Sequence, residues 1–211
     1  MLEAAPAPDE PVIQKPPSET SARRCAPGKI VVVGSTGSGK TTLARRAANI
    51  IGGRHIELDA LYHQPNWTPP DPEAFRDAVR AAITGQPRWV TDGGYRSLVS
   101  DITWTTADEI VWIELPFAIT FSRMLRRTIA RRARNEELWN GNRESIRGML
   151  FSRDSLILFA IQHRNKYRDE YPAALSDPRL AHVRASRLRS RRAVGAWLRQ
   201  LASGVDTTGV V

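Results

Sequence analysis

Cysteine is almost missing. Cys25 is the single one in 211 residues, so no disulfide can form within the chain. A fold of this length needs no such staple, since it can bury about 70% of the surface its unfolded chain exposes. So little thiol fits a reducing compartment, and a cytoplasmic protein is expected. Long apolar runs are missing too. The longest in a helical context, residues 156–161, falls far short of the ~20 residues of a membrane span, and no membrane partner is expected. Glu3, Asp9 and Glu10 stand where a secretory leader would carry a cationic start and an apolar stretch. Lysine is scarce, four against 27 arginines. Genome composition alone can produce that ratio, so the argument rests on where the charge falls. No internal repeat is visible, and no helix-turn-helix, zinc or RNA-binding signature. What remains is an ordinary globular composition, 41% hydrophobic and 25% charged, with the length of one domain.

The formal charge is +9, and it is unevenly placed. Residues 1–119 hold 12 Lys/Arg against 14 Asp/Glu, and residues 120–211 hold 19 against 8. The whole positive excess therefore lies in the C-terminal part. Such asymmetry implies an anionic partner: nucleic acid, a membrane surface or a phosphorylated small molecule.

Residues 1–27 are rich in Pro and Ala without periodicity and read as a disordered tail. The domain is expected over 28–203, with a flexible tail at 204–211. Strands are expected at 30–33, 54–58, 88–91, 109–115 and 180–185. Helices are expected at 42–51, from Asp71 and Pro72 onwards, at 116–134, within 143–171, and at 190–201. Asp71 is suited to cap its helix and Pro72 to open it. Strands alternating with helices predict an α/β fold, a parallel sheet with helices on both sides.

Between the first strand and the first helix stands Gly34-Ser35-Thr36-Gly37-Ser38-Gly39-Lys40-Thr41, followed by Thr42. It fits G-x-x-x-x-G-K-[ST] at every position and in the required strand–loop–helix context. Glycines let the backbone curl so that successive N–H groups face a phosphate, and the helix N-terminus adds positive potential. Lys40 reaches the β- and γ-phosphates as a point charge, and the Thr41 hydroxyl suits Mg²⁺. A nucleotide-binding P-loop is the expectation, with ATP and Mg²⁺ as cofactors.

On these residues, the chain from about 29 to 201 resembles a P-loop kinase of the adenylate-kinase-like group, and most of all a bacterial subgroup called DNA topology modulation proteins. The resemblance implies a P-loop NTPase with a five-stranded parallel sheet flanked by helices and an Arg-rich helical lid at about 128–153. In that group the third strand ends in D-G-x-x-R; here it runs into Asp92-Gly93-Gly94-Tyr95-Arg96. The resemblance implies that Asp92 holds the magnesium's water shell, that Gly93 admits the acceptor and that Arg96 grips an acceptor phosphate. The group's proline is replaced by Tyr95. Arg123 and Arg127 match two lid-side arginines four residues apart, the first on the nucleotide base and the second on its phosphates; both lie on one helical face. Arg126, Arg131, Arg132 and Arg134 extend the cluster. Residues 135–143, with Trp139-Asn140-Gly141-Asn142, resemble the subgroup's lid turn, and Arg143, Arg147 and Arg153 follow at intervals that could return them to the cleft.

The activity so implied is transfer of the ATP γ-phosphate to a small anionic or hydroxylated acceptor by a monomeric enzyme. A nucleoside monophosphate is favoured, because D-G-x-x-R is present. A hydroxyl acceptor stays open, because Asp59 stands where kinases related to shikimate kinase keep a carboxylate, and Asp59 or Asp92 would then act as the base. The T-G-D-x-x-R segment of adenylate kinases is missing. His63, Trp67 and prolines 65, 69 and 70 are expected to build an acceptor-side flap. Two readings remain, a nucleotide-binding protein that acts on DNA and a regulatory NTPase that binds nucleotide without a small acceptor; the first is not favoured, because lid arginines already account for the charge.

Overall fold

The computed structural model describes residues 26–142 and 166–206. Its centre is β1 (Lys29–Gly34), whose residues Ile30 to Val33 are all at most 3% exposed. An unbroken apolar strand of this kind requires cover on both faces, and alternation of its side chains divides the core in two. Ile30 and Val32 pack with Leu43, Ala47, Trp197 and Leu198, whereas Val31 and Val33 pack with Phe75, Val79, Val99 and Tyr171. The first set comes from helices α1 (Lys40–Ile51) and α7 (Arg191–Asp206). The second comes from α3 (Pro72–Ile83), α4 (Arg96–Thr103) and α6 (Lys166–Leu175).

The remaining strands are β2 (Arg54–Glu57), β3 (Trp89–Asp92), β4 (Glu109–Ile113) and β5 (Arg184–Leu188). All five are parallel, in the order β2-β3-β1-β4-β5. The chain leaves β1 towards β3 and β2, then crosses back to β4 on the other side. Such a reversal opens a crevice at the carboxyl ends of the strands. Gly34, Glu57 and Asp92 end their strands at that edge.

Capping follows the sequence. The Asp71 carboxylate accepts from the N–H groups of Glu73 and Ala74, and Pro72 takes the first helical position. Gly52 closes α1 in a left-handed conformation at φ 63°. Two further helices, α2 (Leu58–Tyr62) and α5 (Phe117–Ala133), flank the crevice.

The expected fold class holds, with local corrections. The fifth strand is Arg184–Leu188 rather than residues 180–185; Leu180 ends a short 3₁₀ turn, Pro178–Leu180, capped by Asp177. Only Leu188 of this edge strand is buried, so its hydropathy gave little sign of it. Its anchors are polar. Arg184 and Ser186 bond the fully buried Glu109 carboxylate, which also accepts from Trp197 Nε1 at 2.9 Å. The second strand stops at Glu57, and Leu58 begins α2. Helix α4 was not foreseen. The last helix runs through Asp206, past the expected start of a flexible tail at 204.

Candidate functional site

The loop after β1 turns back on itself through three glycines at positive φ: Gly34 at 155°, Gly37 at 81° and Gly39 at 92°. At Gly37 the reason is also spatial, because a Cβ there would lie 2.1 Å from the Thr120 carbonyl oxygen of α5. Gly39 forms the left-handed N-cap of α1 without a side-chain cap bond, so Lys40, Thr41 and Thr42 open the helix. The Ser38 hydroxyl is buried and has no hydrogen-bond partner among the described residues. Its carbonyl accepts from Arg123 Nη1 at 3.4 Å.

A pocket of about 540 Å³ stands on this loop. Gly37, Ser38, Gly39, Lys40, Thr41 and Thr42 form its floor; Gly34, Ser35 and Thr36 belong to the first half of the loop and do not line it. Arg123 and Arg127 of α5 both face it, as their spacing predicts. Two arginines that sequence reading did not place here join them, Arg46 of α1 and Arg191 of α7. Leu115, Val194, Gly195 and Leu198 supply an apolar wall. Four guanidinium groups over a loop of backbone donors suit a polyanion with one flat apolar end.

Beside the pocket, Asp92 is 1% exposed. A carboxylate so buried must be hydrogen-bonded. The Thr41 hydroxyl donates to its Oδ2 at 2.5 Å, and His55 Nε2 lies 2.7 Å from its Oδ1. These contacts aim Asp92 at the head of α1. The parallel register sets β2 directly alongside, with Glu57 opposite Asp92. Sequence reading missed His55, because a lone His in an edge strand carries no motif.

Among the described residues, no three His, Cys, Asp or Glu side chains are grouped to hold a metal ion. Magnesium instead suits such a loop as one that arrives with phosphates and takes one or two protein oxygens. Thr41 and Asp92 offer those oxygens. A nucleoside triphosphate fits the cradle at Gly37, the unpartnered Ser38 hydroxyl and the four arginines.

The opposite flank has another character. Asp59 of α2 accepts from the Tyr95 hydroxyl at 2.8 Å, and His63 Nε2 stands 3.5 Å from the same hydroxyl. Tyr62 and Tyr95 lie ring to ring at 4.4 Å. Burial pushes the Glu57 carboxyl up from its ordinary range, and the charges of Asp92 and Asp59 add to this; a hydrogen bond from Trp139 opposes it. Burial also pushes the Tyr95 hydroxyl up, aided by Asp59. The His63 imidazole is shifted down by burial, against the pull of Asp59. Gly93 sits at φ 153° with Leu58 against it, where a Cβ would come within 2.8 Å. Arg96 opens α4 and is ion-paired with Glu170 of α6 at 3.1 Å.

The expected flap and lid turn meet. The turn Trp139–Gly141 lies on the turn Pro65–Trp67. Asn142, 4% exposed, is the pin: its Oδ1 accepts from Trp67 N at 2.9 Å, and its Nδ2 donates to the Gln64 carbonyl at 2.9 Å. Asn140 Nδ2 donates to the His63 carbonyl at 2.6 Å, and the Trp139 ring stacks on His63 at 5.5 Å. Of the expected lid, α5 supplies residues 128–133; Arg143, Arg147 and Arg153 lie outside the described residues.

No protein-family model and no curated protein matches the sequence. Solved structures do match. A gluconokinase from Sinorhizobium meliloti 1021 is 20% identical, with 88% of this chain and 95% of that chain covered and a TM-score of 0.49. A shikimate kinase from Acinetobacter baumannii, in complex with shikimate, is 16% identical, with 87% and 96% covered and a TM-score of 0.51. A shikimate kinase from Bacteroides thetaiotaomicron is 15% identical, with 86% and 99% covered and a TM-score of 0.48. The fold is thus that of the P-loop kinases. The finer resemblance to the DNA topology modulation subgroup gains no support from these neighbours.

Proposed function

We propose that the protein is an ATP-dependent phosphotransferase that acts on the hydroxyl of a small molecule. The observation that carries this reading is the junction of loop and strand: Thr41 at the head of α1 bonded to the buried Asp92 at the end of β3, under a pocket faced by Arg123 and Arg127. Phosphoryl transfer asks little covalent chemistry of a protein; position and charge neutralisation supply most of the rate. Magnesium arriving with ATP would supply positive charge that offsets the charge of the phosphates. Lys40 and the loop N–H groups orient the chain of phosphates, and Arg127 offsets charge on the group in transfer. Thr41 and Asp92 would hold the magnesium through their side-chain oxygens. The acceptor oxygen bonds the γ-phosphorus, the bond to the β-phosphate bridge oxygen breaks, and ADP leaves.

The proton of an acceptor hydroxyl needs a base. Asp59 is within one tyrosine of the flank where the acceptor must lie, and its carboxylate is held by the Tyr95 hydroxyl. That contact favours a hydroxyl acceptor over a nucleoside monophosphate. For the nucleotide reading speaks Arg96, which keeps the sequence position of a phosphate grip; against it, the guanidinium is spent on Glu170. The protein is proposed to work as a monomer with no nucleic-acid partner. The test is an ATP-consumption screen over nucleoside monophosphates and hydroxylated metabolites, gluconate and shikimate among them. ADP release stimulated by a hydroxyl compound supports the reading. Stimulation by nucleoside monophosphates alone rejects the hydroxyl acceptor, and salt-sensitive DNA binding without any stimulated ADP release rejects the kinase.

A further inference from the structure

The two flanks of the crevice carry opposite charge. On the nucleotide flank stand Lys40 and four arginines, Arg46, Arg123, Arg127 and Arg191. On the acceptor flank, Glu57 ends β2 opposite Asp92 in the β2–β3 register, and Asp59 follows two residues later in α2. Asp59 accepts from the Tyr95 hydroxyl at 2.8 Å. The cation that the D-G-x-x-R motif brings to this flank, Arg96, is neutralised by Glu170. Among the described residues, aromatic rings also stand on this flank: Tyr62 on Tyr95 at 4.4 Å, and His63 on Trp139 at 5.5 Å.

We propose that the acceptor site selects a hydroxyl compound without negative charge, and excludes phosphorylated and carboxylated acceptors. Glu57 and Asp59, hydrogen-bonded by Trp139 and Tyr95 but without an ion-pair partner among the described residues, repel an anion in this half-buried site, and the repulsion is stronger than in water because the local dielectric is lower. The same carboxylates accept hydrogen bonds from hydroxyl or ammonium groups, and aromatic faces attract a cation. Opposed fields also give specificity its direction. The triphosphate is drawn to the arginine flank and rejected by the carboxylate flank, so donor and acceptor cannot exchange places.

The inference rests on the kinase reading, and the experiment separates the two. The full-length protein is assayed for ADP release with acceptors matched in skeleton but not in charge: glucosamine, glucose and glucuronate; serinol, glycerol and glycerate; adenosine and AMP. Turnover is expected with uncharged or cationic members, with kcat/KM at least ~10-fold above the anionic member of the same set, as one unscreened like charge at close range would impose. An anionic member that outperforms its uncharged partner overturns the inference and leaves the kinase reading intact. ADP release stimulated by no member of any set removes the kinase reading and this inference with it. Glu170→Gln supplies a second arm. It frees Arg96, so KM for the anionic members should fall several-fold while that for uncharged members stays the same. An unchanged KM for anions in this variant rejects the neutralised arginine as a source of the selectivity.

Discussion

The proposed nucleotide flank and the proposed acceptor flank of the crevice are built by different rules. The first is one contiguous stretch, residues 34–42, whose working parts are largely backbone and whose glycines adopt conformations other residues resist. Its charged groups converge from α1, α5 and α7, and among the described residues that line the pocket all are basic. The second is assembled from side chains of segments far apart in sequence: Glu57 and Asp59, Tyr95 and Arg96, and Trp139 to Asn142. It is acidic and aromatic. A phosphate chain is the same in every kinase and can be met by a fixed loop, whereas an acceptor differs from one enzyme to the next. The difference teaches where function is free to vary on this fold.

If the flanks are separate devices, damage to one should leave the other's constants alone. The largest effect is expected from Lys40→Ala. Loss of the point charge at the β- and γ-phosphates should abolish transfer, while circular dichroism and the melting temperature stay close to wild type, since Lys40 belongs to neither apolar core. Wild-type-like turnover would break the assignment of the nucleotide flank.

Next come the arginines. Arg127→Ala should lower kcat/KM by at least ~100-fold, the lower end of what an arginine at a transferring phosphoryl group supplies. Arg123→Ala and Arg191→Ala should act mainly on KM for ATP, with the acceptor KM unmoved. The position of Arg191 in the last helix suggested no role, but the pocket includes it. Arg192 is exposed, does not line the pocket, and is the control. Equal and weak effects at 123, 127, 191 and 192, each lowering the salt slope of DNA binding by about one unit, would replace the pocket with a polyanion track.

On the acceptor flank, Asn142→Ala removes the side chain that ties the 139–141 turn to the 65–67 turn. It should raise the acceptor KM with the ATP KM unchanged, and lower stability by ~1–3 kcal/mol, the cost of buried backbone groups left unpaired. A parallel rise in both constants would show the flanks to be coupled.

The smallest expected effect is the pH dependence of Glu57. Its carboxyl is held above its ordinary value near 4.5, so the folded state binds this proton more tightly than the unfolded one. The stability this confers is whole below about pH 4.5 and is lost as pH rises through the folded value. Glu57→Gln should therefore melt at a higher temperature than wild type at pH 7 and at the same temperature at pH 4. A gap that persists at pH 4 would place the effect outside this titration.

The sequence alone determined the sheet's centre, because an unbroken apolar strand has no other place to go, and the loop, because glycines at fixed intervals have few other uses. It also determined that Arg123 and Arg127 share a face, since helical geometry is local. The position of β5 was not legible. Its residues are largely polar, and it is held by Glu109 and Glu114, carboxylates some seventy residues earlier in the chain. Nor were the contacts of His55 with Asp92, of Tyr95 with Asp59 or of Arg96 with Glu170. Each joins elements that meet only when the sheet order is known. That order brings β2 beside β3, Glu170 of α6 reaches Arg96 of α4, and pairing between distant side chains leaves no period in the sequence. The charge of the acceptor flank was therefore decided by tertiary structure: the motif supplied an arginine, and the packing of α6 cancelled it.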